Sequence, residues 1–198
     1  MGNICYHGTC AEPFYRFDLN HILEGDGKCK FGVGVYVATV YKTAAHYAGA
    51  NPNAIKHYVY TVEIPERRAD NCLGFKDAVH PEIVKRATVA LGMEIPAEAT
   101  EQGSFFRKYL ANYLTGNITS VKKMISKANI EGEKLASSFL TKIGVDLLCW
   151  PYNWKNPDAG TNYAVLDDKK VTILRIDEVK LDAKDQLIDG SQTLVMQF

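Results

Sequence analysis

Apolar and polar positions change rhythm twice along the chain. Asn3–Thr9 forms a short apolar run, and 32–38 forms another, opened by Gly32 and Gly34. Over His57–Ile64 the run HYVYTVEI alternates as a half-buried strand does, and Pro65 closes it. The interval 43–50 is alanine-rich at helical spacing and broken by Gly49 and Asn51-Pro52, which predicts one short helix. From about residue 76 to 143 the texture becomes helical. Pro81–Leu91, Gly103–Leu114, 120–128 and 130–143 each place apolar residues three and four apart, and Ser120 reads as an N-cap before Val121. Strand rhythm returns at 146–150, 162–167 and 171–176, with 151–160 a polar loop containing proline and Asp167-Asp168-Lys169 a turn. Strand blocks at both ends of a helical middle predict an α+β fold in a single domain over 1–198. The helical segment, about 76–143, is then an insertion.

Composition narrows the function classes. The 198 residues suit one domain, and 46% hydrophobic with 23% charged residues suits a well-filled core. Lys plus Arg and Asp plus Glu are both 23, so the formal net charge is zero. That balance weighs against nucleic acid as a partner, because such binders need surplus cations to displace condensed counterions. No run approaches the ~18 consecutive apolar residues of a membrane helix, and the first residues lack a secretion pattern. Gly2 and Cys5 hint at lipidation, but Tyr6 stands where myristoylation wants Ser or Thr. A chain acting in the cytoplasm, or delivered into the cytosol of another cell, is expected, without membrane contact and as a monomer. The five cysteines (Cys5, Cys10, Cys29, Cys72, Cys149) are odd in number, irregular and free of any C-x-x-C pair. They read as free thiols of a reducing compartment, and no metal site is expected.

Three local patterns carry chemistry. The first is Tyr6-His7-Gly8-Thr9 at the end of the first strand. The second is Gly32-Val33-Gly34-Val35-Tyr36-Val37-Ala38, followed by Ala44-Ala45-His46-Tyr47. The third is Gly160-Thr161-Asn162-Tyr163-Ala164-Val165-Leu166-Asp167. Singly they are ordinary. His7 reads as a satisfied structural histidine, Gly32 and Gly34 as a bulge, and Tyr36 and Tyr47 as core aromatics. Nor is the G-x-G a dinucleotide fingerprint, since the third glycine is missing and a strand follows it.

In this order and spacing the patterns resemble the H-Y-E class of the ADP-ribosyltransferase superfamily, the diphtheria-toxin and poly(ADP-ribose)-polymerase type. That family has His-Gly-Ser/Thr at the end of its first core strand, then Gly-x-Gly-(Ile/Val)-Tyr-(Phe/Val)-Ala, then a second tyrosine eleven residues on. His7-Gly8-Thr9, Gly32 through Ala38, and Tyr47 fall in those places. The resemblance covers roughly 3–64 and 144–176, and the middle resembles the helical insertion of small phage and bacterial transferases. It implies a split antiparallel β-sheet core and NAD as co-substrate. His7 then hydrogen-bonds a ribose hydroxyl, Gly8 and Thr9 meet the nicotinamide carboxamide, and Tyr36 and Tyr47 sandwich the nicotinamide ring. Ala38 closes the second motif, and Ala44 stands where the family often has a serine.

The late strand departs from the family. Its acidic residue is replaced by Asn162, which can hold a hydroxyl but cannot stabilise a developing oxocarbenium ion by charge or act as a base. Asp158, four residues upstream in the expected loop, is the alternative acid. The resemblance therefore implies mono-ADP-ribosyl transfer to a protein acceptor, with His7, Tyr36, and Asn162 or Asp158 as the catalytic set. Two other readings stay open: a weak or inactive binder of NAD or ADP-ribose, and an RNA 2′-phosphotransferase. The second needs several arginines on an RNA phosphate, and the chain has only Arg16, Arg67, Arg68, Arg86, Arg107 and Arg175. The aromatic group Phe105-Phe106-Tyr109-Tyr113 reads as core, and Lys122, Lys123 and Lys127 read as a solvated helix face.

Overall fold

The alternating run becomes a central strand, β3 (His57–Ile64), in the computed structural model, which describes residues 2–21 and 31–198. Cys29 and its expected thiol lie outside the described residues. β3 pairs with β1 (Asn3–Thr9) from Asn3↔Ile64 to Thr9↔Tyr58, and with β7 (Thr172–Val179) on its other side. Its Tyr58, Tyr60 and Val62 turn to one face of the sheet, while Val59 turns to the other, against α1 (Tyr41–Ala48). β2 (Val35–Ala38) pairs with β6 (Asn156–Val165), and β6 pairs with β5 (Leu147–Asn153). β4 (Cys72–Gly74) and β8 (Thr193–Gln197) lie at the two edges. Among the described residues the sheet has eight strands in the order β4-β5-β6-β2-β1-β3-β7-β8, antiparallel except for the parallel pair β4–β5.

The strands carrying the three patterns, β6, β2 and β1, are thus neighbours at mid-sheet. β2 meets β1 in a single register pair, Tyr6↔Ala38, whereas β1 and β3 share seven. This narrow seam divides the sheet into two four-strand halves.

The helical middle comprises α2 (Pro81–Leu91), α3 (Ala97–Thr100), α4 (Gly103–Leu114), α5 (Val121–Met124) and α6 (Ile130–Lys142). α2 starts at Pro81, whose missing N–H costs nothing in a first turn, and stops at left-handed Gly92 (φ 67°). Asn129 caps α6 by accepting from Gly132 N at 2.7 Å. Ile83, Phe106, Leu110 and Leu140, all fully buried, form one core with Leu148, Trp150 and Ala164 of the sheet. Each such side chain contributes roughly 1.5–3 kcal/mol by leaving water. The insertion is therefore welded to the face that carries the second and third patterns.

Several expectations change. The segment 151–160 is not a loop but a β-hairpin, with β5 running to Asn153, β6 starting at Asn156 and Trp154-Lys155 at the tip. Pro151 is tolerated there because the ladder from β4 ends at Cys149, so no neighbour on that side needs its N–H. Asp158 accordingly sits on a strand. The predicted helix over 120–128 shrinks to α5, because Asn112 Nδ2 takes the carbonyls of Met124 and Lys127 at 2.8 Å each. The strand expected over 162–167 runs from 156 to 165 instead, and β4, α3 and β8 form where the pattern of the sequence predicts no element. Cys5, Cys72 and Cys149 are buried free thiols, and Cys10 is a partly exposed one. No helix among the described residues is long and apolar enough to cross a membrane.

Candidate functional site

The glycine turn before β2 sets the position of Tyr36. Gly32 has φ 115°, a conformation L side chains rarely adopt. A Cβ there would lie 2.5 Å from Leu148 Cδ1 and 2.7 Å from Arg107 Nη1. A Cβ on Gly34 would lie 2.7 Å from the Val165 carbonyl oxygen. Because the turn is this tight, Tyr36 folds back on it. Its hydroxyl donates to Gly32 O at 2.8 Å and accepts from Phe31 N at 3.1 Å. The ring meets Trp150 edge-on at 5.4 Å, and Trp150 stacks on Phe31 at 4.2 Å. One wall of the site is therefore a locked aromatic group.

Strand register places the rest. Ala38 faces Asn162, Asn162 faces Trp150, and Tyr36 faces Ala164, so Tyr36, Ala38, Trp150 and Asn162 share one face of the sheet. α1 lies on that face too. A Cβ on Gly8 would run into the carbonyl of Ala44, so the glycine lets the backbone of α1 rest directly on β1. Close helix–strand packing, with Ala44, Ala45 and Ala48 buried, is what this position requires in the structure. The seam bears on the expected role of Gly8: past Tyr6↔Ala38 no ladder pair joins it to β2. Thr9 Oγ1 accepts from Ala11 N at 3.1 Å and closes the turn after β1.

Near the C-terminal end of α1, Tyr47 is 45% exposed and its hydroxyl accepts from Asn162 Nδ2 at 3.3 Å. Burial pushes the Tyr47 phenol above its ordinary value, with the Asn162 hydrogen bond opposing, so it stays neutral and able to donate. Asn162 is only 2% exposed, yet its Oδ1 is buried with no hydrogen-bond partner among the described residues. An orphaned buried acceptor costs about 1–3 kcal/mol unless a donor reaches it. It stands in the place where the resemblance puts a carboxylate.

His7 takes the opposite face, packed edge-on against Phe17 at 5.0 Å and close to Phe14 and Tyr60. Its Nδ1 lies 2.7 Å from Tyr36 O across the seam. A carbonyl only accepts, so Nδ1 carries the proton and Nε2 is the acceptor. Burial holds the imidazole below its ordinary pKa against the effect of that hydrogen bond, so the ring is neutral.

Compared with known proteins, the chain matches no family model, and no curated protein and no solved structure is significantly similar to it. The functional reading therefore rests on the residues themselves.

Of the residues expected at the site, Tyr36, Ala38, Ala44, Tyr47, Asn162 and Gly8 converge on one side of the sheet. His7 touches the group only through the Tyr36 carbonyl. Asp158 does not join it. It lies four positions before Asn162 on the strand, roughly 13 Å away when extended. Between them Thr39 and Thr161 exchange two 2.9 Å hydrogen bonds that hold β6 in place. Sequence reasoning missed Phe31 and Trp150, which complete the aromatic wall, and Tyr152, which approaches Tyr47 at 6.4 Å. The aromatic residues flanking 151–160 were the available signal. The turn-forming residues of that segment, Pro151, Asn153, Asn156, Pro157 and Gly160, mask it.

Proposed function

We propose that this chain binds NAD at the seam between β1 and β2 and acts as a mono-ADP-ribosyltransferase on a protein acceptor. The observation that carries the reading is the convergence of Tyr36, Tyr47 and Asn162 on one face, with Asn162 Oδ1 left without a donor among the described residues. In this reading the planar nicotinamide stacks against the tyrosines. The Asn162 carbonyl accepts from the ribose 2′-hydroxyl, and His7, on the opposite face, holds the Tyr36 carbonyl across the seam. Stacking contributes about 1 kcal/mol per ring beyond burial.

Bond cleavage leaves positive charge on the ribose, and at position 162 the dipole of an amide stands in place of a carboxylate. Dipoles stabilise such a cation less than a carboxylate does, so the reading includes slow turnover and single transfer. The same neutrality favours a second reading, a module that binds NAD or ADP-ribose without turnover. Its specific support is the distance of Asp158 from Asn162.

Nicotinamide release and NAD binding, measured together on the wild type, His7→Ala and Tyr36→Ala, separate the two readings. A transferase releases nicotinamide and loses release and binding in both variants. A binding module binds NAD, loses it in the variants, and never releases nicotinamide. Folded wild-type protein that does neither removes both readings.

A further inference from the structure

The helical insertion holds three buried polar side chains that converge on the glycine turn. Ser137 of α6, 3% exposed, donates its hydroxyl to Val33 O at 2.9 Å. Arg107 of α4, 2% exposed, pairs with Glu133 of α6 at 2.8 Å, and its guanidinium lies under Gly32, where a Cβ would meet Nη1 at 2.7 Å. The two residues touched, Gly32 and Val33, belong to the turn whose Gly32 carbonyl anchors the Tyr36 hydroxyl.

A buried ion pair is seldom favoured on stability grounds. Desolvating both charges costs about as much as their attraction returns, and apolar residues of similar volume fold at least as well. Two helices nevertheless place a full charge pair and a hydroxyl against one short piece of backbone.

We propose that Arg107, Glu133 and Ser137 are positioning residues for the nicotinamide site, acting on ligand through the 31–34 turn and Tyr36. The proposal rests on the reading of Tyr36 as a wall of that site. The chain of contacts is continuous. Arg107, paired with Glu133, fills the space beneath Gly32, whose carbonyl accepts from the Tyr36 hydroxyl. Ser137 pins the next peptide, and the Tyr36 hydroxyl, held at both Gly32 O and Phe31 N, follows the turn. A displaced turn lets the Tyr36 ring swing against Trp150 while the fold stays intact. The insertion is then part of the binding site although none of its side chains has to touch the ligand.

Two variants separate positioning from stability. Ser137→Ala removes one hydrogen bond and little volume. The double change Arg107→Met with Glu133→Leu exchanges the ion pair for apolar volume. For each, NAD affinity is measured by calorimetry, thermal midpoint by scanning, and the near-ultraviolet circular dichroism of the Phe31–Trp150–Tyr36 group without ligand. Positioning predicts NAD affinity roughly fivefold weaker in Ser137→Ala and weaker still in the double variant. It also predicts an altered aromatic spectrum in both and a midpoint in the double variant equal to or above wild type. Wild-type affinity and an unchanged spectrum overturn the proposal, and so does a loss of affinity that only tracks a falling midpoint. If wild-type protein does not bind NAD, the nicotinamide reading fails separately. The ligand-free spectrum then decides: a changed aromatic signal at unchanged midpoint upholds control of Tyr36, and an unchanged one overturns it.

Discussion

At the scale of single residues, the candidate site depends on what Asn162 can and cannot supply. Its amide satisfies the Tyr47 hydroxyl and leaves an acceptor for a ligand, but it offers no charge. Replacing it by glutamate puts a carboxylate where a ribosyl cation would form. Asn162→Glu is therefore expected to raise NAD hydrolysis by tenfold or more, at some cost in thermal midpoint from burying a charge. Asp158→Ala is expected to leave nicotinamide release unchanged, since that side chain is exposed and far along the strand. A glutamate variant that binds NAD without faster hydrolysis, or loss of release in the aspartate variant, refutes this account of the face. Gly8 poses a different constraint. Any side chain there meets the Ala44 backbone, so Gly8→Ala is expected to cost at least 1–3 kcal/mol in denaturant unfolding. A near-neutral effect would mean that α1 can lift from β1.

At the scale of elements, local pattern and observed structure agree where one periodicity dominates. Asn3–Thr9, His57–Ile64, Pro81–Leu91 and Gly103–Leu114 come out at the bounds their periodicity predicts, because each buries the apolar face that its pattern marks. The hairpin at 151–160 was illegible for a physical reason. Its proline, asparagines and glycine are turn-formers in isolation, and only pairing of Asn153 with Asn156 makes them a ladder. α5 failed in the other direction: Asn112, far off in sequence, claims the carbonyls that a longer helix would use. The site shows the same division. Tyr36, Tyr47 and Asn162 were legible from spacing along adjacent strands and α1. Trp150, Phe31 and the buried Arg107–Glu133 pair were not, because their relevance depends on how the insertion lies on the sheet. No short-range pattern encodes that placement.

At the scale of the whole molecule, the distribution of contacts between the halves matters most. The core is not one mass. One cluster joins the insertion to Leu148, Trp150 and Ala164, a second fills the opposite face, and a third lies between α1 and β3–β7. The second cluster crosses the seam, with Cys5 and Tyr60 on one side and Val35 and Val37 on the other. Backbone bonding does not cross it to the same degree, since Tyr6↔Ala38 is the sole register pair between β1 and β2. Zero net charge adds nothing there, for or against.

A sheet joined by one register pair, the His7–Tyr36 hydrogen bond and a strip of apolar side chains need not open as a single unit. Native-state amide exchange is expected to resolve two protection classes, β1-β3-β7 in one and β2-β6-β5 with the insertion in the other, whose opening free energies differ. One uniform class would show that the contacts across the seam suffice to couple the halves. A dinucleotide lying across the seam would act as a removable cross-link between them, drawing the two classes together as its concentration rises. In that sense the weakest ladder in the molecule is where a small ligand has the most leverage over the mechanics of the whole chain.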